Sequence, residues 1–234
     1  MGESTVEVAS RSLYRLDTSS LSSKVYERLL AAIVRRELAA GQPLDVDRLA
    51  EAFGVSRTPV QTAVSRLAEI GLVEIRPRRG TFVAKLTAQD VHELFEIRCL
   101  IEVDAVRKAV RLATEEELKA ILNRVHELQQ FFSGDRYIDY YAFLERDKQL
   151  HSAIVALGRN RRLTLMYDQA RTLIEVTRAS ADKQIGGAAL THERHTAIAE
   201  SLMARDSNRA EAAVEKHVRE SEQAILDRLH FSTE

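Results

Sequence analysis

Apolar residues recur at helical spacing along most of this chain. Val25, Leu29, Leu30, Ile33 and Val34 mark a first helix, with several N-cap candidates among residues 19–23 and an end near Leu38. Gly41 and Pro43 then break the pattern. A short second helix is expected from Asp45 or Asp47 to Phe53, with Leu49, Ala50 and Phe53 on its apolar face. Gly54 suits the left-handed backbone of a tight inter-helix turn. Ser56 is expected to cap a third helix whose inward positions are Val60, Ala63, Val64 and Leu67, and Gly71 ends it. Residues 72–76 and 81–85 alternate around Pro77-Arg78-Arg79-Gly80, the one strand signal in the chain, and predict a β-hairpin.

From Thr87 onward every segment predicts helix. Thr87 with Asp90 resembles a capping box with Asp in place of Glu, and Thr114 with Glu117 is a full one. Helices are expected near 88–112, 115–132, 137–157, 160–182, 190–205 and 207–230, with loops at 133–135, Gly158 and Gly186-Gly187. Six helices of this length predict an antiparallel bundle. The fold class is therefore mainly α. It comprises a loose polar arm over 1–18, a helix-turn-helix with a β-wing over 19–85, and an all-helical domain over 86–234.

Composition adds limits. The 234 residues are 45% apolar and 29% charged, as in a water-soluble globular chain, and nine Gly and three Pro suit long helices. A single cysteine, Cys99, excludes an intrachain disulfide and fits a reducing, cytoplasmic setting. Neither a signal peptide nor a membrane span is expected. The net charge of −1 hides an asymmetry: residues 57–85 hold six Lys and Arg against two Asp and Glu. A local basic patch in a near-neutral chain points to a polyanion partner.

A helix entering the DNA major groove by its N-terminal end needs small polar and basic residues there. Ser56, Arg57, Thr58 and Gln61 stand on the first turns of the third helix. A wing needs positive charge at its tip, and Arg76, Arg78 and Arg79 supply it, with Gly80 permitting close backbone approach. The bland alternative is a solvated basic face over an ordinary three-helix core. The spaced residues Gly41-Gln-Pro-Leu44, Leu49-Ala50, Gly54-Val-Ser-Arg-Thr-Pro-Val60, Leu67, Gly71-Leu-Val73 and Arg79-Gly80-Thr-Phe-Val83 resemble the DNA-binding domain of the GntR family. The resemblance implies base or phosphate contacts by Arg57 and Thr58, a phosphate contact by Arg48, and Gly80 at the wing tip. The family usually carries Arg-Glu where this chain has Gln61-Thr62. Glutamine pairs better with adenine than with guanine, so a shifted operator preference is expected.

Seven histidines are present: His92, His126, His151, His192, His195, His217 and His230. Asp147 and His151 lie four apart on a helix face that also carries Phe143, Leu150 and Ile154. His195 shares a stripe with Ile198 and Leu202, and His217 shares one with Val214, Val218 and Ile225. Buried polar groups need partners. Three imidazoles and one carboxylate suit a divalent ion, with Zn²⁺ favoured and Ni²⁺, Mn²⁺ or Fe²⁺ compatible. A buried ion pair of Asp147 with one histidine, without metal, is the plainer alternative. His92, His126 and His230 have no partner in sequence and are expected at the surface.

Arg98-Cys-Leu-Ile-Glu102, Asp147-Lys-Gln-Leu-His151 with Asn160, His195-Thr-Ala-Ile198 with Asp206, and Ala212 leading to His217 resemble the FCD effector domain of one GntR branch. The resemblance implies that Asp147, His151, His195 and His217 ligate a metal, beside a cavity that takes a small organic acid. It favours His195 over His192, which is three residues earlier. Arg98 is the first candidate to hold the effector's carboxylate, against a surface ion pair with Glu102. Arg171 and Arg178 are weaker candidates.

The resulting expectation is a homodimeric regulator, usually a repressor in this family, on a palindromic double-stranded operator, with a small carboxylate as effector. The rivals are a metalloenzyme with an accessory DNA-binding module and a regulator with a purely structural metal. No catalytic base beyond the ligands, no HExxH and no phosphate loop appear, so catalysis is not expected.

Overall fold

A computed structural model describes residues 19–180 and 187–227. The expected arm at 1–18, the helix ends beyond 180 and 227, Gly186 and His230 lie outside those residues. Contacts divide the chain into two compact units, 1–33 with 37–84 and 34–36 with 85–234.

The first unit contains α1 (Ser19–Val34), α2 (Val46–Phe53), α3 (Arg57–Glu69), β1 (Val73–Arg76) and β2 (Gly80–Val83). Val25, Leu29 and Ile33 of α1 are buried, as are Val60, Ala63, Val64 and Leu67 of α3. The helix stops at Val34, short of the expected Leu38, with Arg36 in the left-handed region at φ 60°. Asp45 caps α2 by accepting from the backbone of Asp47 and Arg48. Gly54 closes α2 in the left-handed region at φ 64°, where a side chain would be strained. Ser56 occupies the N-cap position of α3 but makes no side-chain capping bond, contrary to expectation.

β1 and β2 pair antiparallel, Val73 opposite Val83 and Arg76 opposite Gly80. Residues 41–44, expected only to break the chain, run along β2. Gly41 donates to Val83, Val83 donates to Gln42, and Leu44 donates to Thr81. Pro43 has no N–H to lose and bridges Phe82 from the outer edge. The Arg66 guanidinium lies 4.2 Å from the centre of the Tyr26 ring and ties α3 to α1.

The second unit contains α4 (Ala88–Leu112), α5 (Glu115–Glu127), α6 (Tyr140–Leu157), α7 (Arg161–Ser180), α8 (Ala188–Met203) and α9 (Ser207–Leu226). Both capping boxes are present, Thr87 with Asp90 and Thr114 with Glu117. The expected boundaries shift most around 128–139. There α5 gives way to a 3₁₀ turn (Leu128–Phe131) and a second, two-residue hairpin, Phe132–Ser133 with Arg136–Tyr137. Phe132, Tyr137, Tyr140 and Phe143 pack their rings there.

The long helix α4 packs against α6, α7 and α9, and its inward stripe runs Val91, Phe95, Arg98, Glu102, Ala105, Val106 and Ala109. Two charged residues thus sit in an otherwise apolar seam. At one end of the seam, Gly158 lies against α4: a Cβ there would stand 2.9 Å from Ala105 Cα. Gly158→Ala is expected to force the helices apart and cost about 1–3 kcal/mol. A urea denaturation midpoint indistinguishable from that of the parent would show that α4 and α6 approach less closely.

Candidate nucleic-acid face and metal centre

The α2–Gly54–α3 turn places Ser56, Arg57, Thr58 and Gln61 together at the exposed start of α3. Arg57 Nε lies 2.9 Å from Asp47 Oδ1, and both side chains are more than half exposed. An exposed pair of this kind is worth about 0–1 kcal/mol, so a phosphate or base can take the guanidinium cheaply. Arg48 is 87% exposed and only 3.6 Å from Asp45. Arg78 occupies the hairpin turn at φ 63°, with Arg79 beside it, and both are exposed. Gly80, expected at the tip, sits one step behind, opposite Arg76, and its φ of 110° explains the glycine. Arg76 turns back to Glu74 at 2.7 Å and over Phe82, so the tip charge is carried by Arg78 and Arg79.

In the helical unit, α6 supplies Asp147 and His151, α8 supplies His195, and α9 supplies His217. All four are buried. The three imidazoles form a cluster whose donor atoms all lie within 4.8 Å of one another. His151 Nε2 is 3.2 Å from His195 Nε2, and Asp147 Oδ1 is 3.1 Å from His195 Nε2 and 3.7 Å from His151 Nε2. Such separations are close to the ~3 Å that divides neighbouring donors around one ion bound at ~2.1 Å.

The two oxygens of Asp147 face different groups. Oδ2 accepts from Arg171 at 2.9 Å and from Arg178. Oδ1 makes no hydrogen bond of good geometry, although it is fully buried. Two arginines thus pair with Oδ2, while Oδ1 faces the imidazoles, 3.1 Å from His195 Nε2, where a histidine pair or a metal could hold it. Burial alone would raise the Asp147 pKa. Arg178 and the adjacent histidines override that and hold it well below the usual carboxylate range.

His151 is prepared from behind. Its Nδ1 lies 2.9 Å from Glu102 Oε2. Burial pushes Glu102 up, but Arg98 and His151 hold it ionised, so the Nδ1 proton is assigned to this bond. Nε2 then presents a bare lone pair to the cluster, the arrangement typical of a metal-bound histidine. Burial pulls His151 down to about 4 and His217 well below its ordinary value, so both are neutral near pH 7, as ligation requires. The orphaned Oδ1, the neutral His151 and His217 and the backed tautomer fit a divalent cation of the Zn²⁺ type.

Arg98 is buried too. Its bond to Glu102 is present at 2.7 Å, but in the core rather than on the surface. Tyr167 also donates to Glu102. From the sequence, Glu102 enters as part of a motif and as a partner for Arg98 but not for His151, and Tyr167 does not enter at all. In the structure Arg98 and Glu102 lie in the buried stripe of α4, whereas nothing in the sequence singles out Tyr167. His192 stands apart from the cluster, half-buried, with Nε2 2.9 Å from Gln129. His126 is exposed, as expected, and His92 is exposed but pairs with Glu222 at 2.8 Å.

Residues 21–83 match the family model "Bacterial regulatory proteins, gntR family", and residues 93–220 match the FCD domain. The chain is 25% identical over 208 residues to the HTH-type transcriptional repressor RspR of Escherichia coli K12, covering 89% of this chain and 90% of that one. It is 29% identical over 187 residues to the Nta operon transcriptional regulator of Aminobacter aminovorans, covering 80% and 86%. The structure of E. coli McbR/YncC superposes with a TM-score of 0.74 at 22% identity, covering 88% of this chain and 97% of that one, and so shares the fold.

Proposed function

The chain belongs to the GntR family of DNA-binding transcriptional regulators and carries an FCD domain, and from that premise we propose that it is a cytoplasmic, homodimeric repressor whose operator affinity responds to a small carboxylate bound beside a divalent metal. The observation that carries the sensing half is the buried donor set of Asp147 Oδ1 with the His151, His195 and His217 imidazoles. These four would hold the ion, and the ion would supply Lewis-acid attraction for a carboxylate. Arg98, Arg171 and Arg178 bring three buried guanidiniums to the same centre against the two carboxylates of Asp147 and Glu102. That excess of positive charge favours an anionic effector.

The DNA half rests on the exposed Arg57, Thr58 and Gln61, with Arg48, Arg78 and Arg79 positioned for phosphates. Two copies would read a palindrome with half-sites one helical turn apart. Relatives named as regulators or repressors point away from an enzyme.

Metal analysis of the full chain tests the sensing half. About one ion per chain is expected after equilibration with Zn²⁺ and gel filtration, falling to near zero in a His151→Ala, His217→Ala double variant. Failure of the parent chain to retain metal would refute the site.

A further inference from the structure

The position of Arg98 goes beyond that of an effector clamp. Its Nε donates to Glu102 Oε1 at 2.7 Å. Its Nη2 lies 3.0 Å from His217 Nε2. The same atom is 3.0 Å from Nε2 and 3.4 Å from Nδ1 of His151. A donor in line with one ring nitrogen cannot be that close to the other, so Nη2 lies over the His151 ring rather than on its lone pair. Of the two histidines, only His217 therefore accepts from Nη2. Nη1 is fully buried with no partner.

A neutral imidazole has one nitrogen lone pair, which an N–H or a cation can take, but not both. We propose that Arg98 is a built-in competitor for His217: loading of a divalent cation and release of the guanidinium from Nε2 are one event. The released guanidinium, still anchored through Glu102, is then the receptor for the anion, with Nη1 and Nη2 both available to a carboxylate. Metal and anion would thus each tighten the other's binding by the same factor. This inference rests on the metal reading above.

Cobalt titration of the metal-stripped full chain, followed by the visible absorption of bound Co²⁺, tests it. Arg98→Met should bind Co²⁺ more tightly than the parent, on the order of ten- to a hundredfold, as expected for loss of a charged hydrogen bond that opposes ligation. Arg98→Lys separates competition from charge. Its single ammonium cannot span Glu102 and His217 as the fork does, so its affinity should also rise. Acetate should tighten Co²⁺ binding to the parent several-fold and leave Arg98→Met unchanged. If Arg98→Met is unstable, the Arg98→Met, Glu102→Gln variant removes the orphaned carboxylate and is compared with Glu102→Gln alone, since Glu102 also orients His151.

Equal Co²⁺ affinity in parent and Arg98→Met would overturn the competition while leaving the metal site standing. So would a rise in Arg98→Met with none in Arg98→Lys, because charge alone would then explain it. Acetate coupling of undiminished size in Arg98→Met would overturn the receptor role. If neither parent nor variant binds Co²⁺, the metal reading itself falls, and the competition with it.

Discussion

Asp147→Ala destabilises the helical unit by about 3–5 kcal/mol in the absence of metal, because breaking a buried pair leaves uncompensated charge. The charge in question is the Arg171 and Arg178 guanidiniums, both buried and both bonded to Oδ2. Nothing apolar replaces the carboxylate, and water has no easy route to Arg171, which is fully buried. Asp147→Asn should lose less, since an amide oxygen can still accept one of the two bonds. Adding Arg178→Met to Asp147→Ala should recover part of the loss, as paired removal of buried charge does. Urea unfolding of chelated protein measures all three. A loss under about 1 kcal/mol for Asp147→Ala would mean that the arginines find other partners.

On the DNA side, Arg57→Ala is expected to cost about 1–3 kcal/mol of operator binding, roughly five- to 150-fold, and to relax selectivity at one position. Arg78→Ala with Arg79→Ala should behave differently. Phosphate contacts carry no sequence information, so the double variant weakens all sequences alike and lowers the slope of log affinity against log salt by about two. Gln61→Arg should shift preference from adenine toward guanine at the position it faces. Binding-site selection from a random duplex pool, run for each variant, separates these outcomes. Selectivity unchanged by Gln61→Arg would remove that residue from the reading face.

Much of this arrangement was legible in the sequence, for identifiable reasons. Asp147 and His151 could be placed together because they fall at i, i+4 among Phe143, Leu150 and Ile154, and all five are buried. His217 was legible in the same way, within Val214, Val218 and Ile225. What escaped was non-local. The Glu102 bond to His151 joins residues 49 apart, and the Tyr167 bond to Glu102 joins residues 65 apart, so neither leaves a periodic trace. Residues 41–44 read as a break because their pairing with β2 spans four residues around a proline. The hairpin at 132–137 has two-residue strands, too short for alternation to show. The alternative of a surface Arg98–Glu102 pair fails because the stripe of α4 buries both residues, while the i, i+4 pairing itself is present.

The proposed repressor depends on a metal centre that sets the affinity of the DNA-reading helices for their operator. The most direct test is fluorescence anisotropy of a selected operator duplex titrated with the full chain, metal-loaded and chelated, each with and without a panel of small carboxylates. The account predicts that at least one carboxylate changes operator affinity about tenfold or more in the loaded protein and has no effect on the chelated one. An equal carboxylate effect in both forms, or none in either across the panel, would contradict it.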